Sequence, residues 1–168
     1  MQAHLPVRLL PLLLRLLLSD RRLDDHSPDE PPSPIDLTVE SLARPAVAWT
    51  ALTDPRRVAE WFTDASPVGR IGDAYRLDFG DGSVVDGVIM ELEPGRRFAY
   101  TWSWAGSEAH EETLVIWSVA ARDGGGSEIR LIHDGWAEAA LDETIRDDHE
   151  GYWKGYLEDL AAVLAEGG

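Results

Sequence analysis

The chain has 168 residues, a formal net charge of −16, 44% hydrophobic side chains and no cysteine. That length suits one domain burying roughly two thirds of its unfolded surface. The charge opposes phosphate backbones and anionic lipid, so neither a nucleic-acid nor a membrane partner is expected, and the missing cysteines exclude disulfides, thiolate metal sites and cysteine nucleophiles and fit a cytoplasmic location.

Residues 1–22 differ from the rest: they hold four arginines (Arg8, Arg15, Arg21, Arg22) and one acid (Asp20), leaving 11 basic and 30 acidic side chains in residues 23–168. Leu9, Leu10, Leu12 to Leu14 and Leu16 to Leu18 suggest an apolar helix, but Pro11 and Arg15 cut the apolar runs far below the roughly 20 residues of a membrane span. Arg8, Arg15 and Arg22 would form one basic stripe on such a helix, a pattern suited to lying on a membrane surface. Two other readings stand beside that one: an over-extended gene start with initiation downstream, and an unfolded leader. Residues 24–34 (DDHSPDEPPSP) are acidic and proline-rich, an extended or disordered linker. Residues 1–34 are therefore assigned as leader and linker, and 35–168 as the domain. Lys154 is the only lysine, a bias that points to a GC-rich bacterial genome.

From Ile35 the pattern becomes regular. Ile35, Leu37 and Val39 alternate with polar residues as a first strand. Arg44 to Trp61 reads as two short helices, with Pro45 in a first turn and Thr53-Asp54-Pro55 ending one helix while capping the next. Tyr75, Leu77 and Phe79 alternate up to the turn Gly80-Asp81-Gly82. Val84 to Leu92 is a strand with Val88, Met90 and Leu92 assigned to one face, followed by a Pro94-Gly95 turn. Phe98, Tyr100, Trp102 and Trp104 put four aromatics on one face of the next strand. Val115, Trp117 and Val119 share a face of another, and residues 123–126 turn the chain into Ile129, Leu131 and His133. The last segment is an amphipathic helix: Ile145, His149, Tyr152, Trp153, Tyr156, Leu157, Leu160, Val163 and Leu164 lie within an arc of about 140°, with Arg146 the one misfit. Six strands, two short helices and a long C-terminal helix make an α+β layer architecture with an antiparallel sheet.

Several segments together resemble a known superfamily. They are Ala48-Trp49-Thr50-Ala51-Leu52-Thr53-Asp54-Pro55 with Trp61-Phe62, and Gly87 to Pro94 leading to Tyr100-Thr101-Trp102. Ile129 to Trp136 and the helix around Gly151-Tyr152-Trp153 complete the set. In order and spacing they are similar to the START-like, SRPBCC helix-grip proteins, and within these to homologues of the activator of heat-shock-protein-90 ATPase, of the C-terminal-type domain. The turn Pro94-Gly95 replaces the two prolines often found there. The resemblance covers about Ile35 to Ala165. It implies a curved sheet wrapped on the long helix around an apolar cavity, a small apolar ligand, and, in some relatives, a chaperone or other protein partner.

On that reading the inward faces supply the ligand-binding candidates: Tyr75, Leu77, Tyr100, Trp102, Trp104, Trp117, His133, His149 and Trp153. The aromatic rings serve equally well as core filling, and more ring area than a core needs favours a binding surface. His133 and His149 are also the candidates for a general base, against the alternative that each is hydrogen-bonded internally and fixes packing. Other constellations fail. His110-Glu111-Glu112 lacks the second histidine of a metalloprotease helix, the acids around Asp142 to Glu150 suit a helix start, and no phosphate loop or supported Ser-His-Asp set occurs. No cofactor and no metal is expected. Three functions follow: a carrier of small hydrophobic or aromatic ligands, a stress-related co-chaperone acting through its acidic surface, and a cyclase- or hydrolase-like enzyme using a cavity histidine.

Overall fold

A computed structural model describes residues 32–167; the readings made for the leader lie outside the described residues. The chain order is β1 (Ile35–Ser41), α1 (Pro45–Thr53), α2 (Pro55–Trp61), β2 (Asp64–Ala65), β3 (Ala74–Asp78), β4 (Val84–Glu93), β5 (Arg97–Trp104), β6 (Thr113–Ala121), β7 (Ser127–Asp134) and α3 (Glu143–Gly167). The strands form one curled antiparallel sheet in the order β1-β7-β6-β5-β4-β3-β2. The first strand thus closes onto the last, and the two short helices bridge the open ends. The long helix α3 lies in the concavity against β1, α1 and α2. This is the α+β helix-grip architecture that the resemblance implied, with seven strands in place of six. The extra strand, β2, is a two-residue pairing of Asp64 and Ala65 with Asp78 and Leu77, too short to leave an alternation in the sequence.

Local signals account for most boundaries. Asp54 closes α1, its N–H bonding to Thr50 O, and its Oδ1 accepts from Arg56 N at 3.0 Å to open α2. Asp142 Oδ1 accepts from Ile145 N at 3.1 Å at the start of α3. Such N-caps are each worth about 1 kcal/mol. Between Pro94 and Arg96 the chain reverses at Gly95, whose φ of 82° is open to glycine at little cost. Arg146, the misfit on the apolar arc, has a structural job: its guanidinium donates to Ser33 O (2.9 Å) and Pro34 O (3.0 Å) and pairs with Asp147 and Glu150. It ties the chain entering β1 to the first turn of α3.

The assignment of Val88, Met90 and Leu92 to one face is corrected by the structure. The pairing of β4 with β5 shifts by one residue between Ile89 and Glu91, a β-bulge at Met90. One extra residue reverses the parity of everything after it. Before the bulge Val85 and Ile89 are buried and Val88 is on the outer face, 39% exposed; Met90 within it is 51% exposed, and after it Leu92 sits opposite inward-facing Phe98. Just before the bulge β4 and β5 run so close that a Cβ on Gly87 would lie 2.0 Å from Thr101 O.

Candidate functional site

The site is built where β5 faces α3. On β5 the period-two repeat turns Phe98, Tyr100, Trp102 and Trp104 into the concavity, and all four are buried. On α3 His149, Tyr152, Trp153 and Tyr156 recur at helical spacing and face them. Phe62, just past α2, and Phe79, just past β3, close the remaining side. These last six residues with Trp102 and Trp104 line a cleft of about 250 Å³ including its open mouth, of which only about 10 Å³ admits the centre of a water-sized sphere. The remainder is too narrow between the rings for a water molecule. Phe62 lies 4.8 Å from Tyr156 and 5.2 Å from Trp153 between ring centroids, and Phe79 lies 5.6 Å from Trp104.

Two tryptophan–histidine hydrogen bonds tie the sheet to the helix. Trp104 Nε1 on β5 donates to His149 Nε2 on α3 at 3.1 Å. Trp153 Nε1 on α3 donates to His133 Nδ1 on β7 at 3.0 Å. An indole N–H only donates, so the nitrogen facing it holds a lone pair. The other nitrogen carries the proton in each ring: His149 Nδ1 donates to Ile145 O at 2.8 Å, and His133 Nε2 donates to Thr113 Oγ1 at 2.7 Å. Thr113 in turn donates weakly to Trp102 O at 3.4 Å. Trp136 covers both imidazoles, with ring centroids 4.4 Å from His133 and 5.1 Å from His149, while its Nε1 bonds to His133 O.

Trp102 is the centre of this cluster. Its ring lies 5.2 Å from His133, 5.5 Å from Trp104 and 5.3 Å from Trp153. Its Nε1–H is buried and finds no acceptor among the described residues. Leaving such a donor unpaired costs about 1–3 kcal/mol.

The electrostatics are those of an apolar chamber with an acidic mouth. Burial, and then the nearby His149, hold the His133 imidazole well below its ordinary pKa, so it is neutral. Burial pushes the Tyr75 and Tyr100 phenols up. Tyr152 and Tyr156 are raised by burial and further by carboxylates outside the cleft, Asp148 for the first and Asp81 and Asp159 for the second. No lysine or arginine lines the cleft. Among the described residues no group of three or more histidines and acids is placed to hold a metal ion.

Of the sequence-derived candidates, Trp102, Trp104, His149 and Trp153 line the cleft together. His133 lies directly behind Trp102 and Trp153. Tyr75, Leu77, Tyr100 and Trp117 are farther along the inner face, packed into the core, where Trp117 Nε1 donates to Tyr100 Oη at 3.2 Å. Sequence reasoning left out Phe62, Phe79, Tyr152 and Tyr156 as lining residues. The two tyrosines share the arc of His149 and Trp153 and carried the same signal. Phe62 lies just past the end of α2, whereas Trp49 and Trp61 pack the short helices against Phe98 and Trp117.

Comparisons with known proteins agree with this architecture. Residues 42–165 match the model of the Activator of Hsp90 ATPase homolog 1-like protein family. Among solved structures, DynU16, a protein of the dynemicin biosynthetic locus, is 26% identical over 80% of this chain and 48% of its own, with a TM-score of 0.69. This chain thus spans about half of DynU16. Protein MLL2253 from Mesorhizobium loti is 19% identical over 79% of this chain and 96% of its own (TM-score 0.70), and the Aha1 dimer from Colwellia psychrerythraea 21% over 79% and 96% (TM-score 0.64). No curated protein matches. Since the family match runs from the end of β1 almost to the end of α3, the chain belongs to the Activator of Hsp90 ATPase homolog 1-like family.

Proposed function

We propose that this domain binds a small hydrophobic or aromatic ligand between sheet and helix, as a carrier or sensor in the cytoplasm, with residues 35–168 as the binding unit. The observation that carries this reading is the cleft itself: eight ring-bearing residues converge at a mouth open to solvent, the mostly apolar and concave lining that small-molecule sites share. The likeness to a protein of a biosynthetic locus supports a small-molecule role. The hydrogen bonding of the histidines weighs against catalysis. A general base needs an available lone pair, and those of His133 and His149 are both taken by indole N–H groups.

The test uses N-phenyl-1-naphthylamine, an uncharged aromatic probe whose fluorescence rises in apolar surroundings. Saturable binding at one probe per chain is expected, and Tyr152→Ala, at a half-exposed lining position, weakens it about threefold to tenfold through lost ring contact. No saturable binding, or equal affinity in the variant, overturns the assignment. The family match favours a second reading, contact with a chaperone through the acidic surface. Its signature is binding to a purified chaperone that tightens as salt is lowered.

A further inference from the structure

We propose that the ligand is an uncharged aromatic compound bearing a hydrogen-bond-acceptor oxygen, such as an aryl ketone, and that Trp102 Nε1 donates to that oxygen. The inference rests on the ligand-binding reading and deepens it. Three indoles line the cleft, and two of their N–H groups are spent on histidines within the protein: Trp104 on His149 and Trp153 on His133. The third, on Trp102, is buried and meets no acceptor among the described residues. A buried donor left over in a cluster whose other donors are committed marks the place where an external acceptor completes the network.

The charge of that acceptor follows from the surroundings. No lysine or arginine lines the cleft, and His149 and His133 each turn a lone pair to an indole N–H. A carboxylate would enter without a counter-ion. At the mouth it would also meet Asp81, Asp148 and Asp159, whose charges already act on Tyr152 and Tyr156. A ketone or ester oxygen makes the same hydrogen bond without either penalty. The narrowness of the cleft means that its lining rings part as the ligand enters.

Three naphthalenes of similar shape test this: 2-acetylnaphthalene, 2-ethylnaphthalene and 2-naphthoate, titrated against the full chain by calorimetry. The ketone is expected to bind about tenfold tighter than the hydrocarbon, from one hydrogen bond to an otherwise unpaired donor, and the naphthoate more weakly than the ketone. Trp102→Phe removes the donor and abolishes the preference for the ketone. Should that variant fail to fold, the indole N–H resonance of Trp102 in ¹⁵N-labelled wild-type protein decides: it moves downfield with the ketone and not with the hydrocarbon. Ketone and hydrocarbon binding equally, an unmoved Trp102 resonance, or naphthoate binding tightest each overturns the proposal while leaving a ligand-binding domain. Failure of all three compounds, and of the naphthylamine probe, overturns both.

Discussion

His133 is an imidazole with no exposure, both nitrogens occupied and a threonine hydroxyl as the acceptor of its one proton. Protonating it would set a ring N–H against the Trp153 N–H and strand a cation among tryptophans. The pH dependence follows with a definite sign. In the unfolded chain a histidine takes up its proton near pH 6.5, whereas folded His133 takes it only well below that. In the interval between, the unfolded state binds one more proton. The stability due to neutral, buried His133 is therefore complete above about pH 6.5 and is lost as the pH falls, at up to about 1.4 kcal/mol per pH unit. Urea unfolding at pH 7.5, 6.0 and 5.0 measures this directly. A flat profile over that range, or one unchanged in His133→Gln, would show that the imidazole is not held neutral.

The strand β4 shows what an element's sequence conveys and what it withholds. Its alternation announces a strand, and the repeats in β3, β5, β6, β7 and α3 are equally plain, because each of those elements is covered on one face along its whole length. The bulge at Met90 left no mark, since Val88, Met90 and Leu92 continue an unbroken alternation through it. Only the pairing with β5 tells where parity changes. The same limit applied at the site. Trp102, Trp104, His149 and Trp153 were legible because each lies on the inward face of its own element. Phe62 was not, because it follows the end of α2 and reaches the cleft only once the sheet has curled, whereas Phe79 continued the alternation of Tyr75 and Leu77. Gly87 is where this element is most sensitive to change: a Cβ there meets the Thr101 carbonyl at 2.0 Å, and a carbonyl in a paired strand has little room to yield. Gly87→Ala is expected to cost about 2–4 kcal/mol and to speed hydrogen exchange at the β4–β5 amides. Wild-type stability in that variant would mean the two strands are not held so close.

For the molecule as a whole the charge dominates. With a net charge of −16 and ion pairs that are mostly exposed, self-repulsion opposes folding and salt relieves it. Raising sodium chloride from 20 to 300 mM is expected to raise Tm, by about 2–4 °C for each kcal/mol of repulsion screened. A Tm that falls with salt would mean that the surface pairs outweigh the repulsion. Within this acidic shell, the two tryptophan–histidine bonds between sheet and helix run in opposite senses: β5 gives a hydrogen to α3 through Trp104 and His149, and α3 gives one to β7 through Trp153 and His133, four residues and about one turn apart. Slide the helix one turn in one direction and Trp153 meets Trp104, donor against donor, while Leu157 faces His133. Slide it the other way and His149 meets His133, acceptor against acceptor, with Ile145 opposite the Trp104 indole. The paired imidazoles and indoles therefore act as a two-tooth key that gives α3 a single seat along its own axis.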